Sequence, residues 1–180
     1  MNRAVIVVKF YNRYGCKTTG QYEPVCNVPI FFYNRMYSDG TFPVVIQEKD
    51  GSIDQQRNKW ELVPAPGDGR YNVRMCGVCS HGPCCFYWVL RRHWFHSELV
   101  AKENPNDDPK AKAVFHFKWM KKGYVINACN DYGSCRYEMT WQYWKGQTGV
   151  KWIYFHHYRD EGVLWRMSVQ PSKRALDMMG

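Results

Sequence analysis

Leucine is scarce in this chain, and long hydrophobic runs are missing. The only early apolar stretch, Ala4-Val5-Ile6-Val7-Val8, is too short for a membrane span or a signal-peptide core. No membrane span is therefore expected. A secreted form would be the mature chain with an added or retained methionine. No Asn-x-Ser/Thr sequon occurs, so glycosylation gives no second clue to export. No run of Lys or Arg exceeds two residues, although the net charge is +9. The positive charge is spread over every segment, which argues against a dedicated nucleic-acid tail. It speaks to solubility and to acidic partners, not to fold. Also missing are a Gly-rich phosphate loop, a Ser/His/Asp arrangement with recognisable context and a paired-carboxylate motif. These absences lead us to expect a binding protein rather than an enzyme, with no cofactor and no metal.

What the chain does have is aromatic and β-branched residues. Phe, Trp and Tyr make up 17% of its 180 residues, and valine is plentiful. Such side chains fit a pleated, half-buried surface. One domain spanning 1–180 is expected from the length. Short strand-like runs recur: Ala4–Tyr11, Val28–Tyr33, Phe42–Gln47, Trp60–Val63, Tyr71–Met75, Phe86–Leu90, Val114–Met120, Tyr124–Ala128, Arg136–Tyr143, Val150–Tyr158 and Val163–Val169. Lys102–Lys112, with two prolines and three acids, reads as a loop. Regular spacing of this kind points to an all-β barrel or sandwich. Three units also look alike. In each, an aromatic strand (Trp60, Phe115–Met120, Trp152–Tyr158) precedes a Gly-containing turn and then an alternating strand. A unit of that form recurring three times is expected of a β-trefoil. A lipocalin-like or other small β-barrel is the alternative.

The cysteine count is high and even: Cys16, Cys26, Cys76, Cys79, Cys84, Cys85, Cys129 and Cys135. That favours an oxidising compartment and a secreted protein. Cys76-Gly-Val-Cys79-Ser-His81-Gly-Pro-Cys84-Cys85 also has the look of a zinc knuckle. Against zinc, adjacent Cys84 and Cys85 on a strand point to opposite faces. Disulfides, zinc and free thiols all remain open for this segment from its residues alone.

Order and context of the cysteines add a further reading. Cys26 opens Cys-Asn-Val-Pro-Ile-Phe-Phe-Tyr, Cys76 ends Tyr-Asn-Val-Arg-Met-Cys, and Cys129 ends Tyr-Val-Ile-Asn-Ala-Cys with Cys135 shortly after. From Cys26 to Val169 this resembles the plant Kunitz (soybean trypsin inhibitor type) family. The resemblance implies a β-trefoil with disulfides Cys26–Cys76 and Cys129–Cys135, with Cys79 able to replace Cys76. The family's N-terminal Asp/Gly/Leu pattern is absent, and Cys16, Cys79, Cys84 and Cys85 are extra. Around Gln55–Arg74 the chain is also similar to fungal trefoil inhibitors and ricin-type lectins.

The Kunitz resemblance implies an inhibitory loop between the fourth and fifth strands, at Gln47–Lys59. Lys49, Ile53 and Arg57 are its candidate reactive-loop residues. A basic side chain held rigid there would fill the acidic pocket of a serine protease at low ordering cost. A protease, or another protein, is then the expected partner. A carbohydrate-binding lectin is the alternative, with Trp141, Tyr143 and Trp144 stacking on a glycan. Nucleic acid, held through net charge alone, is the third and least supported partner. His93 with His96 and the pair His156-His157 read as structural histidines.

Overall fold

A computed structural model describes residues 4–12, 29–47, 55–94, 96–142, 150–156 and 164–170. Its strands are β1 (Ile6–Asn12), β2 (Ile30–Phe32), β3 (Phe42–Gln47), β4 (Trp60–Pro64), β5 (Arg70–Cys79) and β6 (Gly82–Arg92). They continue with β7 (Ser97–Glu103), β8 (Val114–Met120), β9 (Gly123–Cys129), β10 (Tyr137–Gln142), β11 (Val150–His156) and β12 (Trp165–Val169). Short 3-10 turns cover Gln55–Asn58 and Pro109–Ala111. The protein is all-β, and its antiparallel pairings close a ten-strand barrel.

A shorter closed circuit shares five of its strands with that barrel and adds β8. β1 pairs β4, β4 pairs β5, β5 pairs β8, β8 pairs β9, β9 pairs β12, and β12 returns to β1. The remaining strands form the pairs β2–β3, β6–β7 and β10–β11, and β3, β7 and β11 also pair with one another. A lipocalin-like barrel would set consecutive strands side by side, whereas the neighbours of β1 here are β4 and β12.

The register repeats three times. Trp60 opposes Val8, Phe115 opposes Tyr71, and Trp165 opposes Tyr124. Two residues on, Leu62 opposes Val73, Phe117 opposes Ile126, and Met167 opposes Phe10. These inward positions supply much of the core: Phe10, Trp60, Val73, Phe115, Ile126 and Trp165 have no exposed surface. The alternation is legible in β1, where Val8, Phe10 and Asn12 are buried and the residues between them are not. The three remaining strand pairs, which we call the cap, follow suit, since Ile30 opposes Ile46, Trp88 opposes Ala101, and Met139 opposes Phe155.

Four sequence expectations need correction. First, Ser97–Glu103 is a strand, and Lys102 and Glu103 belong to it rather than to the loop. Its Glu, Ala and Lys have low strand propensity, but pairing with β6, β3 and β11 overrides that. Second, β5 and β6 run on through the cysteine-rich segment as far as Cys79 and Gly82. Third, among the described residues the unit starting at Trp152 does not pair as a hairpin: β11 pairs β10, β3 and β7, while β12 pairs β1 and β9. The third repeat is closed through β12 and β1 instead. Fourth, Cys76 is bonded to Cys85, so the long bridge Cys26–Cys76 is not made. The two cysteines face each other directly across the β5–β6 pair, their Cα atoms 4.1 Å apart. A local partner in that position satisfies disulfide reach without any long crossing.

Candidate functional site

The outer part of the β5–β6 hairpin is an exposed, covalently braced feature. Past Arg74, β5 has left β4; before Phe86, β6 has not yet met β7. Residues 76–85 are therefore a two-stranded ribbon beyond the barrel. Such a ribbon has little core of its own and is marginal in water. Two disulfides supply what packing does not: Cys76–Cys85 at the base and Cys79–Cys84 toward the tip. Gly82, at φ 118°, closes the two-residue Ser80-His81 turn. Glu103 braces the tip from β7, sharing a 2.6 Å hydrogen bond with His81 Nε2. The Asn104 amide donates to the Cys85 carbonyl at the base.

Between the bridges stand Gly77 and Val78. Val78 is 87% exposed, and a side chain at Gly77 would meet nothing within 4 Å. A partner could therefore approach this backbone closely. Cys79, His81 and Glu103 place one ligand atom each within 4.8 Å of one another. The Cys79 sulfur is in a disulfide, however, and offers no thiolate to a metal ion.

The other predicted site residues do not join the ribbon. Lys49, Ile53, Tyr143, Trp144 and Cys26 lie outside the described residues. Arg57 sits half-buried on the 3-10 turn Gln55–Asn58. Trp141 lies on β10 opposite Ile153. Cys129 and Cys135 are bridged, closing a loop that Asn130 caps by accepting hydrogen bonds from the amides of Tyr132 and Ser134.

A buried polar cluster occupies the far end of the β6–β7 pair. Glu98, only 4% exposed, accepts a 2.8 Å hydrogen bond from the Tyr37 hydroxyl and lies 3.2 Å from His93 Nε2. Burial and the adjacent Glu98 carboxylate push the Tyr37 phenol well above its ordinary range. The Arg91 guanidinium lies 4.2 Å from the centre of the Tyr37 ring and pairs with Asp39. Midway along the hairpin, Arg74 donates to Glu61 at 2.7 Å and to the Tyr87 hydroxyl at 2.9 Å. Burial alone would lower the Arg74 pKa, but these two bonds hold it raised and the guanidinium charged. Each of these groups is satisfied by its neighbours, which suits a load shared between strands.

No protein-family model and no curated protein matches this chain. The likeness to the Kunitz family rests on the quoted cysteine segments alone.

Proposed function

We propose that this is an extracellular, non-catalytic β-trefoil that inhibits a serine protease, and that ribbon 76–85 is its inhibitory element. The six-strand circuit, the three capping pairs and the threefold register support the trefoil reading. The three disulfides among the described residues support an oxidising compartment.

One observation carries the inhibitory role: an exposed residue, Val78, is flanked by covalent ties. A protease serine attacking the Val78 carbonyl would expel the Cys79 amine, giving an acyl-enzyme. That amine cannot diffuse away, because the Cys79–Cys84 bridge holds Cys79 and the Cys76–Cys85 bridge holds the two sides together. Its effective concentration stays high, so the peptide bond re-forms instead of being hydrolysed. The stapled ribbon also has little freedom left to lose on binding. Valine suits a protease that cuts after small aliphatic residues. A reactive Lys49 or Arg57 would address an acidic pocket instead.

The test is a titration against proteases of aliphatic, basic and aromatic specificity. Inhibition of the aliphatic-specific enzyme is expected, lost in Val78→Asp with the melting temperature unchanged. Reduction of the two ribbon bridges should turn the protein into a substrate cut after Val78. A folded protein that inhibits none of the three, or a Val78→Asp variant that inhibits as well as the parent, would overturn the reading.

A further inference from the structure

At the other end of β6, an open cleft of about 840 Å³ lies between the β6–β7 turn, the Pro109–Ala111 turn and the Cys129–Cys135 loop. Its size falls in the range of ligand sites. Val89, Ala128 and Phe155 give it an apolar floor, and the Tyr137 ring, 40% exposed, stands on its wall.

The charges at the cleft are lopsided. Among the described residues, Arg70, Arg92, Lys110 and Lys112 line it, against the single acid Asp131. Lys112 is committed elsewhere, its ammonium 2.6 Å from Asp107 and 5.0 Å from the centre of the Tyr87 ring. Arg70 is held in place by donating to the Gly133 carbonyl at 2.9 Å, which leaves its other N–H groups available. Arg92 and Lys110 are exposed and make no ion pair among the described residues. No acidic residue occurs from Pro109 to Asn130, so the whole adjoining stretch of chain is neutral or basic.

We propose that this cleft binds a sulfated polysaccharide. Arg70, Arg92 and Lys110 would take the sulfates and Tyr137 a sugar face. Guanidinium and ammonium groups pair strongly with such anions, and an exposed ring packs on the apolar face of a sugar. The cleft is open, which suits a chain passing through rather than a small molecule enclosed. A single nucleic-acid strand would need a succession of exposed ring faces, and among the described lining residues Tyr137 is the one exposed Phe, Tyr or Trp. A disulfide-bonded protein also meets polysaccharide in the compartment where its bridges survive.

The cleft and the ribbon are separate, since ten residue steps along β6 span on the order of 30 Å. Their tests can therefore fail independently. The experiment measures binding of a size-defined sulfated oligosaccharide, its unsulfated counterpart and a single-stranded DNA oligonucleotide at physiological salt. The sulfated sugar is expected to bind best. Arg92→Glu with Lys110→Glu should weaken it by roughly tenfold or more. Lys121→Glu with Lys122→Glu, the same charge change on the β8–β9 turn, should shift it less than about twofold. Melting temperatures check that both variants are folded. Equal losses in the two variants would reduce the effect to net charge and overturn the site. Tighter binding of the oligonucleotide, or no preference for the sulfated over the unsulfated sugar, would overturn the ligand class.

Discussion

Repeats one and three solve a packing problem in one way, and repeat two in another. In the first, Trp60 on β4 donates its indole N–H to the Ile30 carbonyl at 3.0 Å. In the third, Trp165 on β12 donates to the Met139 carbonyl at 3.2 Å. Ile30 and Met139 hold equivalent places on β2 and β10. In the second repeat the tryptophan has moved to the other partner: Phe115 stands on β8, and Trp88 takes the β6 position. Their rings meet edge-on, with centroids 5.5 Å apart. Buried Trp88 Nε1 has no hydrogen-bond partner among the described residues. The repeat whose core departs from the pattern also bears the stapled ribbon and much of the cleft. The divergent core and the ribbon thus fall in the same, second repeat.

The largest effects should come from the conforming tryptophans. Trp60→Ala or Trp165→Ala empties a fully buried site and removes a buried hydrogen bond. A loss of about 3–5 kcal/mol is expected in denaturant unfolding. Losses below about 1 kcal/mol in both would break the claim that these residues anchor the scaffold.

Second in size is the ribbon. Replacing Cys76 and Cys85 together by serine should cost roughly 3 kcal/mol on the chain-entropy argument. Thermodynamics alone would not distinguish this change from damage to the barrel. Amide exchange would: protection should fall in residues 76–85 and persist around Phe10, Val73 and Ile126. Protease inhibition should be lost along with it. Uniform loss of protection would mean that the staple supports the barrel rather than the ribbon.

These contrasts also explain what could be read from the chain alone. Aromatic alternation gave away β1, β4, β8 and β9, because each has one face in the core. The runs Val28–Tyr33 and Phe42–Gln47 contain the paired strands β2 and β3, and Gly40 in the turn between them adopts φ 83°. Strand β7 stayed hidden because Glu98, Ala101 and Lys102 are poor strand formers, held there by pairing on both sides. The third repeat was misplaced because its strands β12 and β1 come from opposite ends of the chain. The ribbon was missed for a different reason. Cys-x-x-Cys spacing suggests a metal knuckle, and only cross-strand register shows Cys76 opposite Cys85. The cleft had no local signal at all, since its cations are scattered from Arg70 to Lys112.

A smaller effect sharpens the comparison from inside the core. Trp88→Phe removes an unpartnered buried donor while giving up part of an indole's packing. The two changes oppose each other, so stability should stay within about 1 kcal/mol of the parent. Trp60→Phe and Trp165→Phe lose packing and a hydrogen bond together, and each should cost about 2 kcal/mol or more. Equal losses at all three positions would show that the repeats are energetically alike and that the hydrogen bond is immaterial.

The smallest expected effects concern pH, at the turn where the first repeat touches the second. Asp39 accepts from the Thr41 hydroxyl at 2.6 Å and the Thr41 amide at 3.0 Å, and from Arg91 Nε on β6 at 3.1 Å. The Thr41 hydroxyl first, then the Thr41 amide and Arg91, hold the Asp39 carboxyl below its ordinary value of 3.8. The unfolded chain then binds the proton more readily than the folded one. Stability from this group is present above the ordinary value and lost as pH falls through the lower folded value. Tyr37, two residues earlier, has the opposite sign. Its raised phenol pKa keeps the folded state protonated longer, so stability falls as pH rises above the ordinary value of 10.0. Asp39→Asn should flatten only the acid limb of the stability profile, and Tyr37→Phe only the alkaline limb. Arg91 faces both groups, so Arg91→Gln should raise the Asp39 midpoint and leave the Trp60 and Trp165 hydrogen bonds untouched. If Arg91→Gln instead moves stability equally at every pH, the contact between the two repeats is one of packing rather than charge.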